Sequence, residues 1–162
     1  MAVTKRQDAL SWDEYFMSLA IIASKRSADP STQVGCVIVR PNNKIVSFGY
    51  NGFPRGAKDG DFPWEREGEW INTKYPYVVH DAINAILNAS GADLTGCKMY
   101  ANMYPCNDCA KALAQAGIAE IIYLENKHPE DKIYQAAAKL MEILGIKCRK
   151  YEPTGKKIIV EV

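Results

Sequence analysis

Apolar positions first recur at helical spacing, as Tyr15, Phe16, Leu19, Ile22 and Ala23, and Asp29-Pro30 closes the run. Ser11-Trp12-Asp13-Glu14 ahead of it has the form of a capping box, a hydroxyl followed three residues on by a glutamate. The pattern then turns extended. Val34 to Arg40 is β-branched, Pro41-Asn42-Asn43-Lys44 is turn chemistry, and Ile45 to Tyr50 resumes, so the two stretches predict a hairpin. From Asn51 to Pro76 the periodicity dissolves into Gly, Pro, Trp and charges, a long loop of the kind that is usually functional or mobile.

Regular alternation returns downstream. A helix is expected over His80–Ala89, stopped by Ser90-Gly91, then a strand over Lys98–Asn102 and a helix over Cys106–Gln115, ended by Gly117. Ile118–Leu124 reads as a strand, Glu130–Leu144 as an amphipathic helix stopped at Gly145, and Ile146–Tyr151 as a strand; Lys157–Val162 reads as a further extended segment. Strand–helix–strand alternation behind an opening hairpin predicts an α/β sandwich whose mixed central sheet is partly parallel. With 162 residues and neither repeat nor linker, the chain is expected to be one domain over 1–162.

Composition narrows the function. Hydrophobic residues at 48% and charged ones at 24% argue against disorder. Twenty Lys and Arg against nineteen Asp and Glu lack the basic footprint of a protein that grips long nucleic acid. A small phosphorylated ligand needs only one or two cations and remains compatible. No apolar run approaches the ~20 residues a membrane helix requires, and the start lacks the apolar core of a secretory signal. Five unevenly spaced cysteines make a poor disulfide framework. Cys36, Cys97 and Cys148 fall in apolar, strand-like surroundings, while Cys106 and Cys109 form a tight pair, so a cytoplasmic protein with one metal or redox site is expected.

That pair, in Pro105-Cys106-Asn107-Asp108-Cys109, sits at the first turn of a helix, a spacing that suits tetrahedral zinc. A helix N-terminus also favours the thiolate. His80 opens the preceding helix; if the two N-termini converge, three ligands hold a metal and leave the fourth position for water, which zinc activates. A thioredoxin-type redox pair would follow an early strand and would leave His80 without a purpose. A closed structural site would want a fourth ligand, and His128, the other histidine, reads as a solvated loop residue in Asn126-Lys127-His128-Pro129.

At these residues the sequence resembles the zinc-dependent cytidine and deoxycytidylate deaminases, in particular those acting on dCMP. The likeness runs through Ser11-Trp12-Asp13-Glu14-Tyr15-Phe16-Met17, Gln33-Val34-Gly35, Gly49-Tyr50-Asn51-Gly52, Lys74-Tyr75-Pro76-Tyr77-Val78, Asn84-Ala85-Ile86 and Pro105-Cys106-Asn107-Asp108-Cys109. It implies a three-layer sandwich with a mixed sheet of about five strands and helices on both faces. It also implies Zn2+ on His80, Cys106 and Cys109, and hydrolysis of dCMP to dUMP and ammonia. Asn51 resembles the family's sugar-binding Asn, and Gly49, Tyr50, Asn51 and Gly52 its site for regulatory dCTP and dTTP. Arg26 matches a phosphate contact by its guanidinium geometry. A homo-oligomer, commonly a hexamer, is the family's assembly. A deaminase of bases within RNA or DNA shares the zinc motif, but the neutral charge counts against it.

One departure matters more than the matches. The family pattern reads His-Ala-Glu, with the Glu as proton shuttle; this chain reads His80-Asp81-Ala82, and a methyl group moves no proton. Positioned acid–base groups contribute about 10²–10⁴-fold, so turnover is expected to be strongly impaired. Successive helix residues are turned about 100° apart, so Asp81 is expected to point away from the face of Ala82, leaving it a weak surrogate or an extra metal ligand. Two readings stay open: an impaired dCMP deaminase, or a silent zinc- and nucleotide-binding relative or engineered variant that traps substrate.

Overall fold

The computed structural model describes residues 3–162 of the chain. The elements follow in the order α1 (Trp12–Ser24), β1 (Gly35–Val39), β2 (Ile45–Tyr50), α2 (Asp81–Asn88), β3 (Lys98–Met103), α3 (Asn107–Gln115), β4 (Glu120–Glu125), α4 (Lys132–Ile143) and β5 (Lys147–Lys150). The five strands form one sheet in the order β2-β1-β3-β4-β5. β1 pairs antiparallel with β2 and β3, whereas β3–β4 and β4–β5 are parallel, so the sheet is mixed as the alternation predicts.

The side-chain alternation of β1 explains the three layers. Cys36 and Ile38 face a core shared with α2, α3 and α4, while Val37 and Val39 face Phe16, Met17 and Ala20 of α1. All five β1 residues are buried, which is why its sequence is a continuous apolar run rather than an alternating one. One helix therefore covers one face of the sheet and three cover the other.

Local chemistry sets the ends of these elements. Ser11 Oγ accepts from the Glu14 N–H at 3.2 Å, and the Glu14 carboxylate accepts from the Ser11 N–H at 2.6 Å, completing the capping box. α3 and α4 stop where Gly117 (φ 86°) and Gly145 (φ 69°) adopt the left-handed conformation. Two other glycines are required by packing. A Cβ on Gly35 would lie 2.2 Å from the Ser24 nitrogen, and one on Gly49 would lie 2.0 Å from the Asp81 carbonyl oxygen. The hairpin thus seats α1 against one glycine and α2 against the other.

Three expectations shift. Residues 157–162 form no strand: the chain leaves the sheet after Tyr151, and Thr154 and Lys156 bond Glu14 at the start of α1 instead. Cys148 lies on β5 but is exposed, because all four residues of this edge strand are uncovered. The long loop holds a short 3₁₀ turn at Trp70–Asn72 and a bridge between Gly52 and Val79. It is ordered by packed rings, Phe53 tilted against Trp64 at 4.0 Å and Phe62 stacked on Tyr77 at 4.7 Å. Among the described residues no helix is long and apolar enough to cross a membrane.

Candidate metal centre and pocket

Helix α2 is fixed to β2 by side chains that reach its neighbour's backbone. Asn84 Nδ2 donates to the Tyr50 carbonyl at 2.7 Å, Asn88 Nδ2 to that of Phe48 at 2.9 Å, and Ser47 Oγ to that of Ala85 at 2.7 Å. These bonds set the position of His80, the N-cap residue of α2. Cys106 is the N-cap of α3, which follows β3 through the crossover to β4, and Cys109 lies in its first turn. The two helix starts bring His80 Nδ1 to 3.3 Å from each of the two sulfurs.

The ligand atoms of His80, Cys106 and Cys109 all lie within 4.8 Å of one another. Cys109 is buried, Cys106 half-buried and His80 exposed. The Cys109 thiol donates to Cys106, which, with the His80 contact and a backbone N–H, holds the Cys106 thiol down at about 4. The same hydrogen bond and burial push Cys109 up, and the bond to Cys106 raises His80. Two thiols this close to each other and to an imidazole are donors that a divalent cation would bind as thiolates. One nitrogen and two sulfurs are a donor set that fits zinc, and the three residues that would hold it all border solvent-accessible space.

That space is a cavity of about 330 Å³, in the range of small-molecule pockets. His80, Cys106 and Cys109 line it, and so do Asn51 and Asp81. Ala82 is buried in the core cluster that also holds Cys109, while Asp81, likewise buried, is among the residues lining the cavity. Burial raises the Asp81 pKa, while the Cys36 thiol donates to its carboxylate. Burial likewise holds Cys36 well above the ordinary thiol range.

The other candidates separate. Asn51 is buried on the cavity wall, its Oδ1 accepting from the Val34 N–H at 2.8 Å. Gly49 is buried beneath α2 rather than open to a ligand. Tyr50 and Gly52 are half-buried. Arg26 is exposed, its guanidinium 5.8 Å above the Tyr50 ring and outside the cavity lining. His128 is exposed as expected, yet it is among the residues lining the cavity, as are Lys127 and Arg66. Asp29 and Lys74, which the motifs did not single out as site residues, form an ion pair of 2.6 Å in the wall, with side chains 1% and 6% exposed.

A family model described as the cytidine and deoxycytidylate deaminase zinc-binding region matches residues 10–125. Deoxycytidylate deaminases of Mus musculus and Homo sapiens are 47% and 46% identical over 158 residues, spanning 97% of this chain and 89% of each relative. The crystal structure of dCMP deaminase from the cyanophage S-TIM5, in complex with dCMP and dUMP, superposes with a TM-score of 0.69 at 27% identity. It covers 85% of this chain and 95% of that one.

Proposed function

This chain belongs to the cytidine and deoxycytidylate deaminase family, a zinc-binding family of hydrolytic enzymes, and from that premise we propose that it acts on dCMP, giving dUMP and ammonia. The observation that carries the reading is the convergence of His80, Cys106 and Cys109 on the wall of a nucleotide-sized cavity. The imidazole and the two thiolates would hold the ion, which when bound supplies Lewis acidity that activates water for attack on the ring carbon bearing the amine. The start of α2 and the start of α3 face the same spot, and their unpaired N–H groups favour negative charge there.

The protein's own contribution to proton movement is where the chain departs from its relatives. A proton has to reach the ring nitrogen and later the leaving amine, and Ala82 can carry neither. Asp81, next to the ligand His80, lines the cavity, but it is one methylene shorter than Glu and lies against the Cys36 thiol. Turnover is therefore strongly reduced, while metal and nucleotide binding persist. Zinc-loaded protein assayed for ammonia release from dCMP, beside Ala82→Glu, decides this: the variant is expected to gain at least about 10²-fold. Equal rates would overturn the assignment of position 82. A substituted protein that binds dCMP but never turns it over would favour the alternative of a silent nucleotide-binding relative.

Further readings belong to the same proposal. The domain spans 1–162. Arg26 over Tyr50, next to the buried Asn51 and half-buried Gly52, supports a surface for regulatory dCTP and dTTP on that turn. Exposed apolar side chains such as Phe48, Leu87 and Ile143 support a homo-oligomer, and the family resemblance a hexamer, which light scattering tests directly. Five free cysteines suit the cytoplasm.

A further inference from the structure

The two sulfurs of the metal centre belong to one element and the imidazole to another. Cys106 caps α3 and Cys109 lies in its first turn, whereas His80 caps α2. All three ligand atoms lie within 4.8 Å of one another. The sulfurs can close on each other by side-chain rotation within a single turn, without any movement of α2. A Cys-x-x-Cys at a helix start is also the spacing at which thiol–disulfide chemistry occurs, beside metal binding.

The remaining cysteines are placed differently. Cys36 and Cys97 are fully buried, Cys148 is exposed on β5, and among the described residues none of the three belongs to the cluster. Cys106 is half-buried, and both it and Cys109 line the cavity of about 330 Å³, whereas the other three do not. A solute as small as a peroxide that enters the cavity therefore meets these two sulfurs side by side. An oxidised sulfur there has a second thiol within reach, so the reaction is set to stop at a disulfide instead of climbing to the irreversible acids.

We propose that Cys106 and Cys109 are a site of reversible oxidation by hydrogen peroxide, forming a disulfide that excludes the metal. This rests on the metal reading of the cluster given above and adds a regulation of that same site. The more accessible Cys106 sulfur attacks one peroxide oxygen: an S–O bond forms, the O–O bond breaks, and the second oxygen leaves as water with the thiol proton. The Cys109 sulfur then attacks the sulfenic sulfur: an S–S bond forms, the S–O bond breaks, and that oxygen leaves as water with the Cys109 proton. The two thiols give up two electrons, and one peroxide becomes two waters. A dithiol reductant returns the electrons by exchange, itself becoming a disulfide. A metal needs both sulfurs as thiolates, so ion and disulfide compete for the same two atoms and His80 is left as a lone donor.

Zinc-loaded protein treated with hydrogen peroxide tests this, with zinc release read by a chromogenic chelator and the sulfurs by thiol titration and peptide mass mapping. The chain is expected to lose two of its five free thiols, and about 2 Da of mass, with Cys106 joined to Cys109. Zinc release is expected to keep pace with thiol loss, and dithiothreitol to restore both the thiols and zinc uptake. Zinc added at about tenfold excess over its Kd is expected to slow thiol loss about tenfold, because only the unloaded fraction offers two free sulfurs. Cys148→Ser, which removes the exposed thiol outside the cluster, is expected to form the same disulfide and release zinc equally. Sulfinic or sulfonic acid at Cys106 or Cys109 without a disulfide, a disulfide to Cys36 or Cys148 in their place, or a rate that added zinc leaves unchanged overturns the proposal alone. Protein that takes up no zinc before peroxide is added overturns the metal reading, and the proposal with it.

Discussion

Cys106 and Cys109 show how a pair of side chains becomes a site through backbone placement. The cap position of α3 places Cys106 and its first turn places Cys109, so that the two sulfurs and the His80 nitrogen lie within 4.8 Å of one another. Replacing Cys106 by Ser removes the favoured thiolate, and zinc content per chain after dialysis is expected to fall from near one to near zero, by elemental analysis. This much was legible in the sequence, since Pro105-Cys106-Asn107-Asp108-Cys109 and His80 carry their own spacing signals. Asp29 and Lys74 were not. They lie 45 positions apart, and a buried ion pair made by two loops leaves no local periodicity to read. Asp81 was legible only as an angle: helical geometry separated it from Ala82, but which of the two met the cavity depended on how α2 rolls on β2, a tertiary fact.

Among the elements, α1 couples local capping to the distant end of the chain. Removing the Ser11 hydroxyl in Ser11→Ala is expected to cost about 1 kcal/mol in denaturant unfolding, the usual worth of such a cap. Glu14 takes part in that cap and also accepts from Thr154 Oγ1 at 2.6 Å and Lys156 Nζ at 3.0 Å. The Thr154 hydroxyl first, then the Ser11 N–H and Lys156, hold its carboxyl at about 2 against an ordinary 4.5. A depressed folded-state pKa gives stability that is present above pH 4.5 and lost as pH falls from there towards 2. Acid titration followed by circular dichroism is expected to show a shallower loss over that window in Glu14→Gln than in the unsubstituted chain. The helices, strands and glycine stops were readable because each has a period or a terminator. The loop from 51 to 76 was not, because its order comes from ring packing among Phe53, Phe62, Trp64 and Tyr77. The tail's β-branched residues predicted a strand, but Glu14 draws the chain away from the β5 edge.

On the scale of the whole molecule, the metal centre ties α2, which packs on the antiparallel half of the sheet, to α3, which belongs to the parallel half. Binding that needs both halves in place stabilises the folded state through linkage, by about 2.7 kcal/mol at a hundredfold excess over Kd. Chelation is accordingly expected to lower Tm by about 5–10 °C in thermal scans, and to leave Cys106→Ser unmoved. The mixed sheet and its layers followed from the sequence because β1, apolar throughout, can only be an interior strand. The thickness of those layers did not, for it depends on Gly35 and Gly49, whose missing side chains let helix backbone rest directly on the sheet. Position 49 therefore acts as a spacer of zero length for catalysis. A relative with even a methyl there must carry its second helix farther out, and its imidazole would then meet the thiols from a different height, so that metal affinity would be tuned from the far side of the helix by an atom that never touches the ion.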